Sequence, residues 1–437
     1  MMEISELIKK LKIAKYKIDK MILYIEDFGE FEVEPQYIGS VVLEKDYDNY
    51  NFPFFELFVT VPNKVFRAMR KKNIQITAYI RMKYTVVKRD TPASEMSTTG
   101  EKPPEYLEFA KNFYVYGLDG TPSLDESQDE AIEKAIGEEK TEGTNLNHAS
   151  TAYLLLYDLE MLDKVKVMTN EIITSGTLTD ILTRVLNQAR FKKVLLSPAT
   201  NGKVYHEFTL LPIRTDEQIE RICKDYAIHE NGTRIFYDFD MVYIINKKMT
   251  CTAWKSGEYK QTYLIYNPTP VKSSEDAELK TMGTYEDPDE EINYCTMTNC
   301  SLQTSNVFAD QSYGTSYLEL DSKTGAIRTA ESDSLTANNE KSQISKVLTV
   351  NRGEASSINE MTTSLDNTNV MIECAIDNTR IDFLTMNKEF HLIFNDDKLK
   401  RYNGIYTLRK FITAFNKTDG EWFTTNTVAT FTGKKIE

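Results

Sequence analysis

A chain of 437 residues is longer than one hydrophobic core usually grows, so about two to four domains are expected. Its 41% hydrophobic content is sufficient for a folded interior, and the abundance of Tyr (25) and Phe (21) favours strands. The formal net charge of −14 argues against a surface that coats nucleic acid, because phosphate binding needs clustered Lys and Arg.

The first part of the chain predicts a short helix followed by strands. Apolar residues recur at helical spacing over residues 4–11, and the alternation over residues 15–25 is typical of a strand. Further strands are predicted at residues 41–43, 54–61 and 74–86. The charged opening lacks the apolar run of a signal peptide, and no segment has the length of a membrane span.

A loop and an acidic segment follow. Residues 88–108 are rich in Pro, Ser and Gly and predict a loop, whereas residues 109–118 predict a strand. Residues 120–147 are strongly acidic and poor in large apolar side chains. This composition predicts a surface loop, and the functional alternative is an arm that docks a partner.

The central segment, residues 177–246, predicts a helix, a strand, a second helix and a hairpin with its tight turn at residues 238–240. Thr177 or Thr179 is placed to cap the first helix, and Thr215 with Gln218 predicts a capping box for the second. The first helix carries one apolar stripe at helical spacing, formed by Leu178, Ile181, Leu182, Val185, Leu186 and Ala189.

The remaining chain is again strand-rich but less regular. Residues 252–267 predict a strand pair, and residues 295–369 are rich in Ser, Thr and Asn, with short strands at 316–320 and 345–350. That stretch is either a thin β extension or a long linker. Firm strand patterns return at residues 370–376, 381–386, 389–394, 404–416 and 421–432.

The chain shows no motif for cofactor, metal or nucleophilic chemistry. A Gly-rich phosphate loop, a dinucleotide fingerprint, HExxH and GxSxG are all absent from the sequence. We therefore predict no catalytic, cofactor-binding or metal-ligating residue, no cofactor and no enzymatic activity. The histidines are far apart and the cysteines match no zinc or redox spacing, so structural roles and reduced thiols are expected for His148, His206, His229, His391, Cys223, Cys251, Cys295, Cys300 and Cys374.

Paired carboxylates are the one arrangement that suggests chemistry, because glycoside hydrolases use two of them. Asp238 and Asp240 share a face if their run is a strand, and Asp396 and Asp397 are adjacent in a predicted turn. The preference of Asp for tight turns explains both pairs without catalysis. Single tryptophans could stack on sugars but more often anchor a core or an interface, and the chain has Trp254 and Trp422.

The central segment resembles one family. The runs "TSGTLTDILTRVLNQA" and "YHEFTLLPIRTDEQIERICKDYAIHENGTRIFYDFDMVYIIN" are similar to the middle of central hub proteins from contractile-tail phage baseplates, and to the hub part of type VI secretion spike proteins. The resemblance lies within residues 172–246 and is a pattern of residue types rather than a catalytic signature.

The resemblance implies an α+β, mainly β fold, in which two tube-protein-like β-barrels flank a small mixed unit. On this basis we expect an N-terminal barrel domain at residues 1–165 with the acidic insertion 120–147. The mixed helix–strand–helix–hairpin hub unit would occupy residues 166–250. A second barrel domain would occupy residues 251–437, with a long insertion at about 275–368.

The function implied by the resemblance is mechanical. Such hubs are trimers that join the hexameric tail tube to the trimeric central spike, around a lumen for DNA or tape measure protein. The expected partners are two further copies, tail tube protein and central spike protein, with tape measure and baseplate wedge proteins as further candidates. Neither sequence-specific nucleic acid binding nor a membrane span is expected. The chain would be assembled in the host cytoplasm and reside in the virion tail baseplate.

Two other functions remain open from the sequence. The first is a tail-tip adaptor or receptor-binding tail protein, with residues 295–369 as a β adhesin arm. The second is a hydrolase of cell-wall glycans, which would need a suitable carboxylate pair such as Asp238 and Asp240.

Overall fold

We analysed a computed structural model of the chain. It describes residues 3–47, 52–71, 73–88, 104–121, 149–199, 202–226, 228–229, 233–239, 241–246, 261–268, 271–272, 278–279, 282–303, 315–320, 327–331, 343–347, 369–386, 389–419 and 421–434. Most of the predicted acidic insertion at 120–147 and much of the stretch at 275–368 lie outside these residues.

The N-terminal part of the chain is strand-rich, as predicted, and begins with the predicted short helix. Its elements are α1 (Ile4–Lys10), β1 (Lys12–Ile25), β2 (Gly29–Val33), β3 (Ile38–Asp46), β4 (Phe54–Pro62), α2 (Asn63–Met69), β5 (Ile76–Lys88), β6 (Tyr106–Thr121) and β7 (Ala149–Asp158).

The central part alternates short helices and strands. It consists of α3 (Leu159–Val165), β8 (Met168–Thr177), α4 (Leu178–Gln188), β9 (Val194–Leu196), β10 (Val204–Arg214), α5 (Thr215–Asp225), β11 (Thr233–Asp238) and β12 (Met241–Asn246).

The C-terminal part is formed by strands and short turns. Its strands are β13 (Gln261–Tyr266), β14 (Val271–Lys272), β15 (Glu278–Leu279), β16 (Thr284–Asp287), β17 (Ile292–Met297), β18 (Asn299–Gln303), β19 (Thr315–Leu320), β20 (Ile327–Glu331), β21 (Gln343–Val347), β22 (Asn369–Asp377), β23 (Phe390–Phe394), β24 (Gly404–Asp419) and β25 (Trp422–Lys434). One-turn 3-10 helices occur at Pro35–Tyr37, Ile381–Phe383 and Lys400–Tyr402.

A first barrel closes through an unbroken circuit of paired strands. The order is β24–β3–β4–β7–β6–β5–β1–β25, and β25 pairs back with β24. Every pair in this circuit is antiparallel. Closure leaves no open sheet edge along the circuit. The two strands that complete it, β24 and β25, come from the far end of the chain.

A second, smaller barrel uses the same two strands. Its circuit is β24–β23–β13–β17, then β18–β22–β25 and back to β24, because β17 runs on into β18 through Thr298. Within it, β13 runs parallel to both β17 and β23. The fold is therefore mainly β with two barrels, as predicted. The division at residues 165 and 250 stays a prediction, and the pairings show that β24 and β25 serve both barrels.

The barrel interiors follow from the alternation of apolar residues along the strands. In β5, buried and partly exposed side chains alternate along most of the strand, which puts one side of the strand inside. The inward residues of both barrels belong to one continuous core, which includes Tyr16, Leu57, Phe113, Phe390 and Phe431. Burying each such side chain contributes about 1.5–3 kcal/mol.

The mixed unit has its own core. The predicted stripe of α4 is buried, and it packs with apolar residues of α5, β10, β11 and β12. Thr177 caps α4 as expected: its hydroxyl accepts a hydrogen bond from the Asp180 backbone N–H, and the Asp180 carboxylate accepts from the Thr177 N–H at 2.9 Å.

The capping box predicted for the second helix is wrong. Helix α5 has Arg214 as its N-cap residue, with no side-chain cap. The Thr215 hydroxyl instead donates to the Val167 carbonyl at 2.8 Å, and Gln218 Oε1 accepts from the Leu211 backbone N–H at 3.0 Å. The two side chains thus hold α5 against the residue that precedes β8 and against β10, and these tertiary contacts outweigh the local cap.

Candidate functional site

The hairpin of β24 and β25 is the element that couples the two barrels. On its outer sides, β3 and β1 pair with the part near the hairpin tip, and β23 and β22 pair with the open end. Two threonines inside the hairpin, Thr413 and Thr427, are buried and share a hydrogen bond of 2.9 Å. A rotation of one barrel relative to the other would have to break this ladder.

The tip of the hairpin is held against the first barrel. The Lys417 ammonium donates to the carbonyls of Pro35, Gln36 and Ile38, at 3.4, 2.8 and 3.2 Å. Near the tip, Phe415 packs edge-on against Tyr16 of β1, with ring centroids 5.3 Å apart. These contacts fix the tip of the coupling hairpin on the first barrel.

A junction cavity of about 290 Å³ lies where the first barrel, the mixed unit and a C-terminal turn meet. Its walls come from β3, β6, the β11–β12 hairpin, the turn after β22, and β24. The lining side chains are both charged and aromatic, namely Leu43, Lys45, Glu108, Phe109, Lys111, Lys193, Asp238, Phe239, Met241, Tyr243, Ile381, Asp382, Thr385 and Phe411.

Ion pairs connect the parts of the chain around this cavity. Lys45 of the first barrel donates to Asp238 Oδ1 of the mixed unit at 2.7 Å, and the Phe239 N–H donates to the same oxygen at 2.8 Å. In the C-terminal turn, the Arg380 guanidinium forks onto Asp382 and also donates to Glu286 Oε2 at 2.6 Å. Charge pairing therefore joins segments that are distant in sequence.

Glu108 is the acid that this cavity perturbs most clearly. It is the extra residue of a β-bulge, because Met82 pairs with Phe109 and Lys83 pairs with Leu107. Burial is the main cause that raises the pKa of Glu108 to about 7. Asp382 and Asp238 raise this pKa further, whereas Lys45 and Arg380 lower it. The sequence pattern assigned residue 108 to a loop, and no local signal marks a bulge whose cause is the pairing with β5.

Three of the four carboxylates singled out in the sequence lie within the described residues, and each of the three has its own local partner. Asp238 closes β11 and is held by Lys45, while Asp240 lies outside the described residues. Asp397 is exposed and pairs with Lys400 at 2.6 Å, and the Asp396 carboxylate accepts from the Lys398 N–H, as expected for turn residues.

Two of the three described histidines make contacts inside packed regions, and the third is exposed. His229 is buried between Ser197 and Thr233, with ring nitrogen contacts of 2.9 and 3.0 Å, and burial lowers its pKa. His391 stacks on Tyr263 with ring centroids 4.6 Å apart, and burial also lowers its pKa. His206 lies exposed on β10. Burial therefore favours the neutral form of His229 and of His391.

The outer face of the first barrel carries an aromatic cluster. Phe58 of β4 packs on Tyr153 of β7, with centroids 5.0 Å apart, and Tyr157 contacts both Phe54 and Tyr116 at 5.7 Å. The exposed fraction is 43% for Phe58 and 71% for Tyr116. Grouped exposed aromatics of this kind are typical of protein contact surfaces.

Two features are absent from the described part of the chain. Its His, Cys, Asp and Glu side chains form no group of three or more suited to a metal ion. None of its helices combines the length and apolarity needed to cross a membrane. Trp422 lies in β25 with the Lys17 ammonium 5.0 Å from its ring centroid, and Trp254 lies outside the described residues.

One protein-family model matches nearly the whole chain. It is described as "Bacteriophage PBS1 gene 109 protein", and it matches residues 2–432. The chain belongs to this family. It is thus a phage-family protein, in agreement with the phage resemblance of the central segment. No curated protein matches.

Several solved structures are similar in outline at low sequence identity. A tail protein from Neisseria meningitidis is 10% identical, with 96% of each chain covered and a TM-score of 0.49. A 43 kDa tail protein of prophage MuSo2 from Shewanella oneidensis is 11% identical, with 94% of this chain and 96% of that one covered and a TM-score of 0.48.

A third similar structure is a PdpA–VgrG complex from Francisella, 9% identical, with a TM-score of 0.49. This chain is covered over 97% of its length but spans only 53% of that chain.

Proposed function

We propose that this chain is a structural protein of a phage tail, the central hub of its baseplate. Three copies would form a ring that joins a hexameric tail tube to a trimeric central spike. The observation that carries the proposal is the pair of closed barrels built on one hairpin. Three chains with two barrels each present six barrels, so a threefold assembly can meet a sixfold partner.

The geometry of the coupling supports a static adaptor. Because β24 and β25 belong to both circuits, the angle between the barrels is set by backbone hydrogen bonds. The barrels differ in strand order and in parallel pairing, so the six barrels of a ring would alternate between two kinds. The aromatic face of β4, β6 and β7 supports a protein partner on the first barrel.

The mass of the purified chain tests this proposal. We expect a particle of three chains, each of 50.3 kDa, by light scattering or native mass spectrometry, either alone or after tube and spike proteins are added. Electron microscopy of the ring should then show six barrels around a lumen, through which DNA or tape measure protein would pass. A chain that stays monomeric alone and with both partners would refute the adaptor function.

A hydrolase of cell-wall glycans is the second candidate, because the junction cavity holds two acids in different surroundings. Glu108 has its pKa raised to about 7, whereas Asp238 is paired with Lys45. Such a contrast is the pattern of an acid and a base in glycoside hydrolysis. Peptidoglycan zymography with Glu108→Gln and Asp238→Asn tests it. Clearing that both substitutions abolish would favour the enzyme, and an absence of clearing by the parent protein would exclude it.

A further inference from the structure

Two cysteines face each other across adjacent strands of the second barrel. Cys300 of β18 is the direct antiparallel partner of Cys374 of β22. Directly opposed residues of an antiparallel pair have Cα atoms about 4.5–5.5 Å apart, and their side chains point to the same face. A disulfide spans Cα separations of about 4.4–6.8 Å, so the register suits one. Both are free thiols in this structure.

The two thiols of the pair differ in their exposure to solvent. Cys374 is fully buried in the barrel core, while Cys300 is partly exposed and packs against the same core. Burial raises the pKa of both thiols, and Cys300 raises that of Cys374 further. A raised pKa keeps thiols protonated and slow to react, which is unlike the activated cysteine of a redox enzyme. The pair is therefore suited to a structural bond.

We propose that Cys300 and Cys374 form a cross-strand disulfide when the protein meets a small-molecule disulfide oxidant, and that this bond fastens β18 to β22. The Cys300 thiolate attacks one sulfur of the oxidant, such as oxidised glutathione, and displaces the first small thiolate. The Cys374 thiolate then attacks the Cys300 sulfur in the mixed disulfide and displaces the second. One disulfide is reduced, one is formed, and the two protein protons pass to the released thiols.

The bond would act on the seam that closes the second barrel. Strand β18 joins the circuit to β22 through the pairing of residues 299–303 with 371–375. A covalent link there closes a long loop between residues 300 and 374, which restricts the unfolded chain. The time at which the bond would form rests on the proposed function, because a virion protein made in a reducing cytoplasm would meet the oxidant only after release. The chemistry itself does not depend on that function.

Peptide mapping of the oxidised full chain tests the proposal. The reduced protein is incubated under native conditions with oxidised glutathione, digested without reductant and analysed by mass spectrometry. We expect a Cys300–Cys374 peptide pair, a loss of two hydrogen atoms from the intact mass, and an apparent Tm several degrees higher. Wild-type protein that keeps both thiols, or that links either one to a different cysteine, would overturn the proposal.

Variants separate this bond from general effects of oxidation. Cys300→Ser and Cys374→Ala should each abolish the Tm increase, whereas Cys223→Ser should keep it, because Cys223 is buried in the separate core of the mixed unit. An increase that survives Cys300→Ser would also refute the inference. If Cys374→Ala fails to fold, the peptide map of the oxidised wild-type protein still shows whether Cys300 and Cys374 are linked. The oligomeric mass is measured separately. A chain that forms this bond but stays monomeric would therefore refute the proposed hub function and leave the disulfide proposal intact.

Discussion

Replacing Glu108 by glutamine tests whether the junction cavity holds a carboxyl group that resists ionisation. Its pKa is raised from 4.5 to about 7, mainly by burial. Because each pH unit of pKa difference is worth ~1.4 kcal/mol, the folded protein favours the protonated form by up to about 3 kcal/mol. The glutamine of Glu108→Gln has about the size of the protonated glutamic acid and is likewise uncharged.

The direction in which stability changes with pH follows from proton binding by Glu108 in the folded and unfolded chains. Below pH 4.5 the carboxyl is protonated in both folded and unfolded chains, so its stabilising contribution is fully present. As pH rises towards 7, the unfolded chain loses the proton while the folded chain holds it, and stability falls. Above the folded pKa the contribution has been lost. The stability of the Glu108→Gln variant should not fall with pH in this way. The excess of its free energy of unfolding over that of the wild type should be largest at alkaline pH.

Urea unfolding between about pH 5 and about pH 8, followed by circular dichroism, measures the difference between the two proteins at each pH. Glu105→Gln is the matched control, because its carboxylate pairs with Lys17 at 2.7 Å and that bond lowers the pKa of Glu105. Its loss should weaken the protein instead. Identical pH profiles for wild type and Glu108→Gln would refute the reasoning.

Three further substitutions address single contacts. Asp180→Ala should destabilise the mixed unit by about 1 kcal/mol, read as a lower urea midpoint, because it removes the capping box with Thr177. Gly283→Ala should separate β16 from β1, since a Cβ there would clash with the Lys12 carbonyl oxygen; faster amide exchange at Lys12 would report it. Arg380→Met should lower stability by about 2 kcal/mol because it removes the ion pairs with Asp382 and Glu286. Arg380→Lys should restore only part of that stability, as urea unfolding can measure.

Local pattern was sufficient for the elements of the mixed unit. The stripe of α4, its Thr177 cap and the β11–β12 hairpin were all predicted, because helical period, capping and tight turns depend on neighbours in sequence. The resemblance that led to a phage protein family also lies in this unit. The cap predicted for its second helix was wrong, because Thr215 and Gln218 bond to Val167 and Leu211 outside the helix instead.

The sequence alone therefore determined the class of fold, the type of most elements and the phage resemblance. Only the tertiary structure decided that β24 closes one barrel by pairing Lys410 with Asp46 and also closes the other, because alternation shows which side of a strand is buried but not which strand lies beside it. The same limit applies to the bulge that turns Glu108 inward and to the register that opposes Cys300 and Cys374. Each depends on a hydrogen-bonded partner strand, and no property of the single strand encodes that partner.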